Sequence, residues 1–206
     1  MRLLVTAVLA LSIPGSTHAV TSPGNSTIPS FVLMVGLREG VPDTTVGAFT
    51  IVARDAAGVP EPGKTIEFRI LNCPAARLAT DQLQAGVSTR CATHGVTAVT
   101  DLDGAVRFAV VGGSEAQGLH GMGPCAQVYS NGLAIGTVRI AYLDLDGGGG
   151  LGANDVSVWL SDFATGEPIG RSDFNGDQLL TADDLSVWLQ VWGDGRQVES
   201  PAAYCP

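Results

Sequence analysis

The C-terminal part of this chain contains the same pattern twice, and this duplication constrains the fold more than any other feature. Residues 144–163 read DLDGGGGLGANDVSVWLSDF, and residues 173–192, displaced by 29 positions, read DFNGDQLLTADDLSVWLQVW. Aspartates match at the first and twelfth positions of each copy, and the segment SVWL matches after them. A repeat of this length indicates a duplicated structural unit, in which one kind of loop is followed by one kind of helix.

The loop of the second copy carries oxygen-bearing side chains at the spacing that wraps a calcium ion. Its positions 1, 3, 5, 9 and 12 are Asp173, Asn175, Asp177, Thr181 and Asp184. The EF-hand loop uses these positions together with the backbone carbonyl at position 7, which here belongs to Leu179. Calcium suits such a set because it accepts many oxygen ligands in loose geometry. Gln178 stands at position 6, where the sharp turn usually takes glycine, so we expect backbone strain there.

The loop of the first copy offers fewer ligands. Its positions 1, 3 and 12 are Asp144, Asp146 and Asp155, and the position-7 carbonyl belongs to Gly150. Positions 5 and 9 are glycines, so a water molecule would have to complete the ligand set at position 5. The glycine run 147–150 also makes this loop entropically expensive to order. We therefore expect one or two bound Ca²⁺ ions, with the 173–184 loop binding more tightly than the 144–155 loop.

An apolar stripe at helical spacing follows each loop. The stripes are Val156, Trp159, Leu160 and Phe163 in the first copy, and Leu185, Trp188, Leu189 and Trp192 in the second. Helices this short are marginal alone. We expect the two Trp/Leu faces to pack together in a small α domain over residues 144–195.

The duplicated DxNxD pattern, with aspartate at position 12 and a following LxxWL, resembles the type I dockerin module. The resemblance covers roughly the last third of the chain and is most specific in the second copy. Dockerins bind calcium through such loops and dock onto cohesin modules in extracellular assemblies, so the resemblance implies a cohesin-like partner. The family's contact positions, 10 and 11 of each loop, fall on Ala153, Asn154, Ala182 and Asp183. These residues differ from the hydroxyl pair of cellulosomal dockerins.

The N-terminus has the pattern of a secretory signal over residues 1–19. Arg2 precedes an apolar run, and Thr17, His18 and Ala19 form a small-residue cleavage site. Residues 20–29 form a Pro-, Ser- and Gly-rich lead that we expect to be flexible, and residues 196–206 form a C-terminal tail. No later apolar run is long enough to span a bilayer, and the net charge of −9 gives no indication of nucleic-acid binding. These features predict a secreted or cell-surface protein.

Residues 30–143 are predicted to form an all-β body. Alternating apolar residues predict strands near 31–35, 49–54, 65–70, 95–100, 105–111, 126–129 and 133–143. The turns at 101–104 and at Asn131-Gly132 predict hairpins over 95–111 and 126–143, and this number of short strands indicates a β-sandwich. The fragments ARDAAGVPEPGKTIEFRI and AVTDLDGAVRFAVV resemble the immunoglobulin-like domains of bacterial surface proteins. That resemblance implies an immunoglobulin-like β-sandwich followed by the small α domain of two loop–helix repeats.

The four cysteines are Cys73, Cys91, Cys125 and Cys205. An even number in an exported chain favours two disulfides, and buried free thiols are the alternative. Of three possible pairings we prefer Cys73–Cys91, which would close the irregular segment 71–94, with Cys125–Cys205, which would tie the tail to the sandwich. No CxxC spacing occurs, and His94 and His120 stand alone, so we do not expect the cysteines to form a metal site.

Two functions are compatible with this organisation. In the first, the calcium-ordered repeats dock onto a cohesin-like partner outside the cell. In the second, calcium and disulfides stabilise an extracellular immunoglobulin-like module, and the repeats form an intramolecular cap. The absence of a Pro/Ser/Thr-rich linker before residue 144 predicts that the repeats pack on the sandwich. An enzyme is not expected, because the sequence has no candidate catalytic carboxylate pair, nucleophile elbow or HExxH motif.

Overall fold

A computed structural model describes residues 20–115, 120–167, 169–195, 197, 199 and 201–206 of the 206-residue chain. The predicted secretory signal lies outside the described residues. Strands account for most of the regular structure between residues 31 and 142, and two longer helices follow, so the mainly β prediction is confirmed. Among the described helices, none combines the length and apolarity needed to cross a membrane.

The elements are short and follow one another closely. The strands are β1 (Phe31–Met34), β2 (Leu37–Arg38), β3 (Val41–Pro42), β4 (Ala48–Val52), β5 (Thr65–Ile70), β6 (Ala76–Leu78), β7 (Ser88–Arg90), β8 (Gly95–Val99), β9 (Ala105–Ala109), β10 (Gly112–Ser114), β11 (Ala126–Ser130) and β12 (Leu133–Tyr142). The helices are α1 (Thr44–Gly47), α2 (Ala153–Thr165) and α3 (Ala182–Gly193), and short 3₁₀ turns occupy Cys91–Thr93 and Gly170–Ser172.

The larger sheet contains six strands in the order β1-β12-β11-β5-β8-β7. β1 runs parallel to β12, and the other neighbouring strands are antiparallel. β4 and β9 form a separate antiparallel pair that shares a buried core with the larger sheet. Strand alternation builds this core: Ile66 and Phe68 of β5 point inward, and the ring centroid of Phe68 lies 5.4 Å from that of Phe49 in β4.

One of the two predicted hairpins is confirmed and the other is wrong. β11 and β12 pair across Asn131-Gly132, and both turn residues adopt the positive φ that a tight hairpin requires, 47° and 84°. β8 and β9 do not pair. Asp101 forms the expected turn, accepting hydrogen bonds from the Asp103 and Ala105 amides, but the turn carries the chain from the larger sheet to the β4–β9 pair.

The predicted disulfide pairing is also wrong. The bonds are Cys73–Cys125 and Cys91–Cys205. Cys73 and Cys125 become neighbours because the amides of residues 71 and 72 donate to the Cys125 carbonyl. The C-terminal tail pairs alongside residues 78–80 through Ala203 and Cys205, and this path brings Cys205 to Cys91. Pairings of this kind depend on strand order, which cysteine spacing does not encode.

Residues 20–29 were predicted to be a flexible lead, but hydrogen bonds attach them to the β body. The Thr21 hydroxyl is buried and donates to the Glu61 carboxylate. Thr27 and Val52 exchange backbone hydrogen bonds of 2.9 and 3.0 Å. The composition of the lead suggested flexibility, but its backbone groups find partners at the edge of β4, so it is held in place.

The repeats pack directly on the β body, as the missing linker predicted. A second buried core combines Leu33 and Val35 near β1, Ala141 and Leu143 near β12, and Trp159 and Trp188 of α2 and α3. The Trp188 indole Nε1 donates to the Leu143 carbonyl at 3.0 Å. The apolar faces of α2 and α3 therefore pack against the β body, and not only against each other as we expected.

For this reason only part of each predicted apolar stripe is buried. Trp159 and Trp188 are at most 3% exposed, whereas Leu160, Phe163, Leu189 and Trp192 are each about half exposed. Phe163 stacks on Trp159 and Trp192 stacks on Trp188. Each helix therefore buries one aromatic residue and presents its stacking partner to solvent.

We predict that Trp188→Phe lowers the free energy of unfolding by roughly 2–3 kcal/mol, because it removes a buried hydrogen bond and leaves a cavity. Trp192→Phe is the matched control in the same helix and should change stability by less than about 0.5 kcal/mol. Urea unfolding monitored by circular dichroism measures both. Equal losses would contradict the asymmetric burial of the two side chains.

Candidate metal centre

Three carboxylates converge in the first loop. Asp144, Asp146 and Asp155 each offer an oxygen atom, and these oxygens all lie within 4.8 Å of one another. Two oxygens bound to one calcium ion at about 2.3–2.6 Å each can be at most about 5 Å apart. The three side chains predicted as ligands at positions 1, 3 and 12 are therefore close enough to bind one ion together.

The Asp155 carboxylate closes the first loop onto its helix. One of its oxygens accepts from the Leu145 amide at 2.7 Å and the Asp146 amide at 3.1 Å, and the other accepts from the Gly152 amide at 2.8 Å. Asp155 lies in the first turn of α2, where free amides and the helix dipole favour a negative charge. Asp155, at position 12 and at the start of α2, therefore binds the backbone of loop positions 2, 3 and 9.

The Asp144 carboxylate is buried with one oxygen unsatisfied. Oδ2 accepts from the amides of Gly149 and Gly150 at 3.1 and 3.3 Å, but Oδ1 is buried and has no hydrogen-bond partner among the described residues. The Tyr204 hydroxyl lies within side-chain hydrogen-bonding reach of Asp144, although neither this hydroxyl nor Asp144 Oδ1 has a partner in good hydrogen-bond geometry. A buried carboxylate oxygen without a partner is costly in a folded protein, and a cation is the kind of ligand that would satisfy it.

The second loop repeats the same hydrogen-bond frame. Asp173 Oδ2 accepts from the Gln178 amide at 3.0 Å, and the Asp184 carboxylate accepts from the amides of Asn175 and Thr181 at 3.2 and 2.8 Å. In both loops, therefore, the first aspartate binds amides near position 6 and the twelfth closes onto positions 3 and 9. The duplicated sequence produces duplicated loop geometry.

The acidic side chains of the second loop do not converge as tightly. Within the part of the chain that the structure describes, the acidic group that meets the 4.8 Å spacing is the one in the first loop. Asp177 accepts from the Leu179 amide with one oxygen and from the Asn175 side-chain amide with the other. Thr181 caps α3 by accepting from the Asp183 amide at 3.3 Å. Asp177 and Thr181 are thus engaged within the loop.

Both loops adopt a positive φ at position 6, but the residue at that position differs. Gln178 has φ 71°, so the predicted strain at position 6 is confirmed, because a residue with a Cβ is disfavoured there. Gly149 occupies the same position of the first loop with φ 87°. Gly150 and Leu179, whose carbonyls are the predicted position-7 ligands, lie within their loops, and their role stays a prediction.

Two arginines of the β body hold the loops at equivalent points. Arg139 donates to the Gly176 carbonyl at 2.8 Å, and Arg77 donates to the Gly147 carbonyl at 3.5 Å; both glycines stand at loop position 4. Each guanidinium also lies over an aromatic ring, Phe31 for Arg139 and Tyr204 for Arg77. No sequence pattern indicates these two arginines, because they come from the part of the chain that is not duplicated.

Arg139 also affects the electrostatics of the second loop. Its guanidinium lies 3.4 Å from Asp173 Oδ2, where it competes with a cation for the first ligand. This contact and the engagement of Asp177 would both weaken cation binding by the second loop, and the order of affinities expected from the sequence stays a prediction.

The residues predicted to contact a partner lie on the surface. Ala153, Asn154, Ala182 and Asp183 are all exposed in the first turns of α2 and α3. The half-exposed apolar residues described above belong to the same two helices.

Comparison with known proteins adds no relationship: no family model matches the chain, and neither curated proteins nor solved structures give a match.

Burial changes the acidity of the loop carboxylates. It raises the pKa of Asp144 to about 6, with a further contribution from the charge of Asp155. Burial also raises the pKa values of Asp155, Asp173 and Asp184. All four side chains are at most 3% exposed, so the loops bury negative charge that backbone amides and, at Asp173, the Arg139 guanidinium compensate only in part.

We predict that the calcium-free protein loses stability as the pH rises from about 4 to about 6. A folded-state pKa above the unfolded value means that the folded state binds more protons in this window, so deprotonation favours unfolding. Chemical denaturation across this range, compared between the wild type and Asp144→Asn, isolates the contribution of Asp144. A slope that is the same in both proteins would contradict the assignment.

Proposed function

We propose that this chain is a secreted, non-catalytic calcium-binding protein whose duplicated loops, 144–155 and 173–184, each bind one Ca²⁺ ion. The observation that carries the proposal is the convergence of three carboxylates, Asp144, Asp146 and Asp155, in the first loop, with Asp144 and Asp155 buried. The shared hydrogen-bond frame extends the proposal to the second loop.

The chemistry of the ligands favours calcium over other cations. Every candidate side chain in the loops offers oxygen, which is the donor that hard cations prefer, and none offers sulfur or imidazole. The first loop has glycines at positions 4 to 7, so its shell is adaptable and suits the variable coordination of calcium better than the rigid octahedron of magnesium. A bound ion would supply the positive charge that the buried carboxylates lack.

At the level of fold, we propose an immunoglobulin-like β-sandwich followed by a dockerin-like pair of loop–helix repeats. The shared core of the six-stranded sheet and the β4–β9 pair supports the first part. The repeated loop geometry, with each twelfth aspartate in the first turn of a helix, supports the second. Two disulfides support an extracellular location, because such bonds persist in oxidising compartments.

The proposed role of calcium is to fix the repeats on the β body as a cap. The first loop begins two residues after β12 ends, and the second loop is held by Arg139 of the same strand. Because Trp159 and Trp188 share a core with β1 and β12, ordering the loops should also order this core.

Docking onto a cohesin-like partner is the second candidate function. Leu160 and Phe163 of α2 and Leu189 and Trp192 of α3 are about half exposed. Aromatic side chains such as Phe163 and Trp192 are enriched at protein interfaces. They lie on the same helices as the exposed residues at loop positions 10 and 11. This surface is accessible although the opposite faces of the helices are packed on the β body.

Calorimetric titration of the mature protein with Ca²⁺ tests the proposal. We expect two sites in the wild type and one each in Asp155→Ala and Asp184→Ala. Asp103→Ala, in the exposed turn after β8, is the matched acidic control and should retain both sites. Unchanged stoichiometry in Asp155→Ala and Asp184→Ala would contradict calcium binding by the loops.

A further inference from the structure

A second group of potential metal ligands lies apart from the calcium loops. A ring nitrogen of His120 and the sulfur atoms of Cys73 and Cys125 all lie within 4.8 Å of one another. We expected no metal site at the cysteines, because His120 stands alone in the sequence. The fold brings the three residues together because Cys125 immediately precedes β11, while His120 contacts the carbonyl of Ile140 in the neighbouring strand β12.

The hydrogen bonds of His120 define its tautomer. Nε2 lies 3.0 Å from the Ile140 carbonyl oxygen, and because a carbonyl only accepts, Nε2 carries the proton. In the neutral ring with its proton on Nε2, Nδ1 has a free lone pair. Nδ1 is buried and has no hydrogen-bond partner among the described residues.

This arrangement is the one that metal-binding histidines adopt. A ligating imidazole usually donates its other N–H to a backbone carbonyl or a carboxylate, which fixes the ring and directs the lone pair at the metal. Here the carbonyl partner of Nε2 is present, Nδ1 is unsatisfied, and one ring nitrogen lies within 4.8 Å of both sulfurs. As long as the sulfurs are joined in the Cys73–Cys125 disulfide, however, neither can act as a thiolate ligand.

We propose that reduction of the Cys73–Cys125 disulfide creates a site for a zinc-class divalent cation, with Cys73, Cys125 and His120 as its ligands. A thiol or phosphine reductant donates two electrons to the disulfide and is itself oxidised, and the cysteines take up two protons. Binding of the metal then releases these two protons from the thiols. The site and the disulfide are thus alternative states of the same pair of cysteines.

The ligands proposed for this site would not bind calcium, the cation proposed for the two loops. Two thiolates and one imidazole are borderline-soft ligands that suit zinc, whereas calcium requires oxygen. Tetrahedral zinc with Zn–S bonds of about 2.3 Å needs sulfurs roughly 3.8 Å apart, a small separation from the bonded position. Three protein ligands leave the fourth position to water. Gly121, Gly123 and Pro124, just before Cys125, are exposed.

Cobalt titration of the full mature protein tests this proposal. The protein is reduced with a phosphine, kept in saturating Ca²⁺ so that the acidic loops are filled, and titrated with Co²⁺, whose bonds to thiolate give a charge-transfer absorption band. We expect one thiolate-bound Co²⁺ per reduced chain, displaced by Zn²⁺, and no such band in the oxidised protein. Zinc should also protect Cys73 and Cys125 from alkylation, as read by peptide mass spectrometry.

Three variants distinguish the proposed site from metal binding by an unfolded, reduced chain. His120→Ala should weaken cobalt binding by about tenfold or more while leaving the number of reactive thiols unchanged. Cys73→Ser/Cys125→Ser should abolish the band, and Cys91→Ser/Cys205→Ser should retain it. A reduced chain that had simply unfolded would bind cobalt through its thiols regardless of His120. Equal affinity in the wild type and His120→Ala, or no thiolate band in the reduced wild type, would therefore overturn the proposal.

Discussion

The burial of four aspartates in the two duplicated loops is the constraint on which the C-terminal third of this structure depends. Asp144, Asp155, Asp173 and Asp184 lie almost completely out of solvent, although the chain as a whole carries a net charge of −9. Backbone amides of the two loops satisfy most of their oxygens, but a buried carboxylate needs opposite charge as well as hydrogen bonds. For this reason we propose that each loop is a separate cation site, and calcium is the ion that suits its oxygen ligands.

The same burial connects the loops to the β body. The repeats have no independent core, because Trp159 and Trp188 pack against residues of β1 and β12. Arg77 of β6 and Arg139 of β12 donate hydrogen bonds to equivalent carbonyls of the two loops. The Cys91–Cys205 disulfide holds the C-terminal tail, which places Tyr204 beside Asp144. A cation that orders the loops would consequently stabilise the β body through this shared core. The exposed apolar residues of α2 and α3 leave room for a partner without disturbing it.

Local features of the sequence predicted the local structure well. The spacing of oxygen-bearing residues located both loops, the helical stripes located α2 and α3, and Asn131-Gly132 located the β11–β12 hairpin, because each of these depends on residues close together in the chain. The errors concern contacts between distant residues. The turn after β8 joins two different sheets, the cysteines pair according to strand order, and the lead finds partners on β4. The same is true of the contacts that Arg77, Arg139 and Tyr204 make with the loops, and of the proximity of His120 to Cys73 and Cys125. No spacing in the sequence encodes these contacts.

Amide hydrogen exchange with Ca²⁺ and with a chelator tests the central claim most directly, because it reports the loops and the β body separately. If calcium orders the loops and the shared core together, exchange should slow in residues 144–155 and 173–184 and also in β1 and β12, which contribute to that core, while β5, on the far side of β11, should change little. Slowing confined to the loops would contradict the coupling between the repeats and the β body. Identical exchange in both conditions would contradict calcium binding itself.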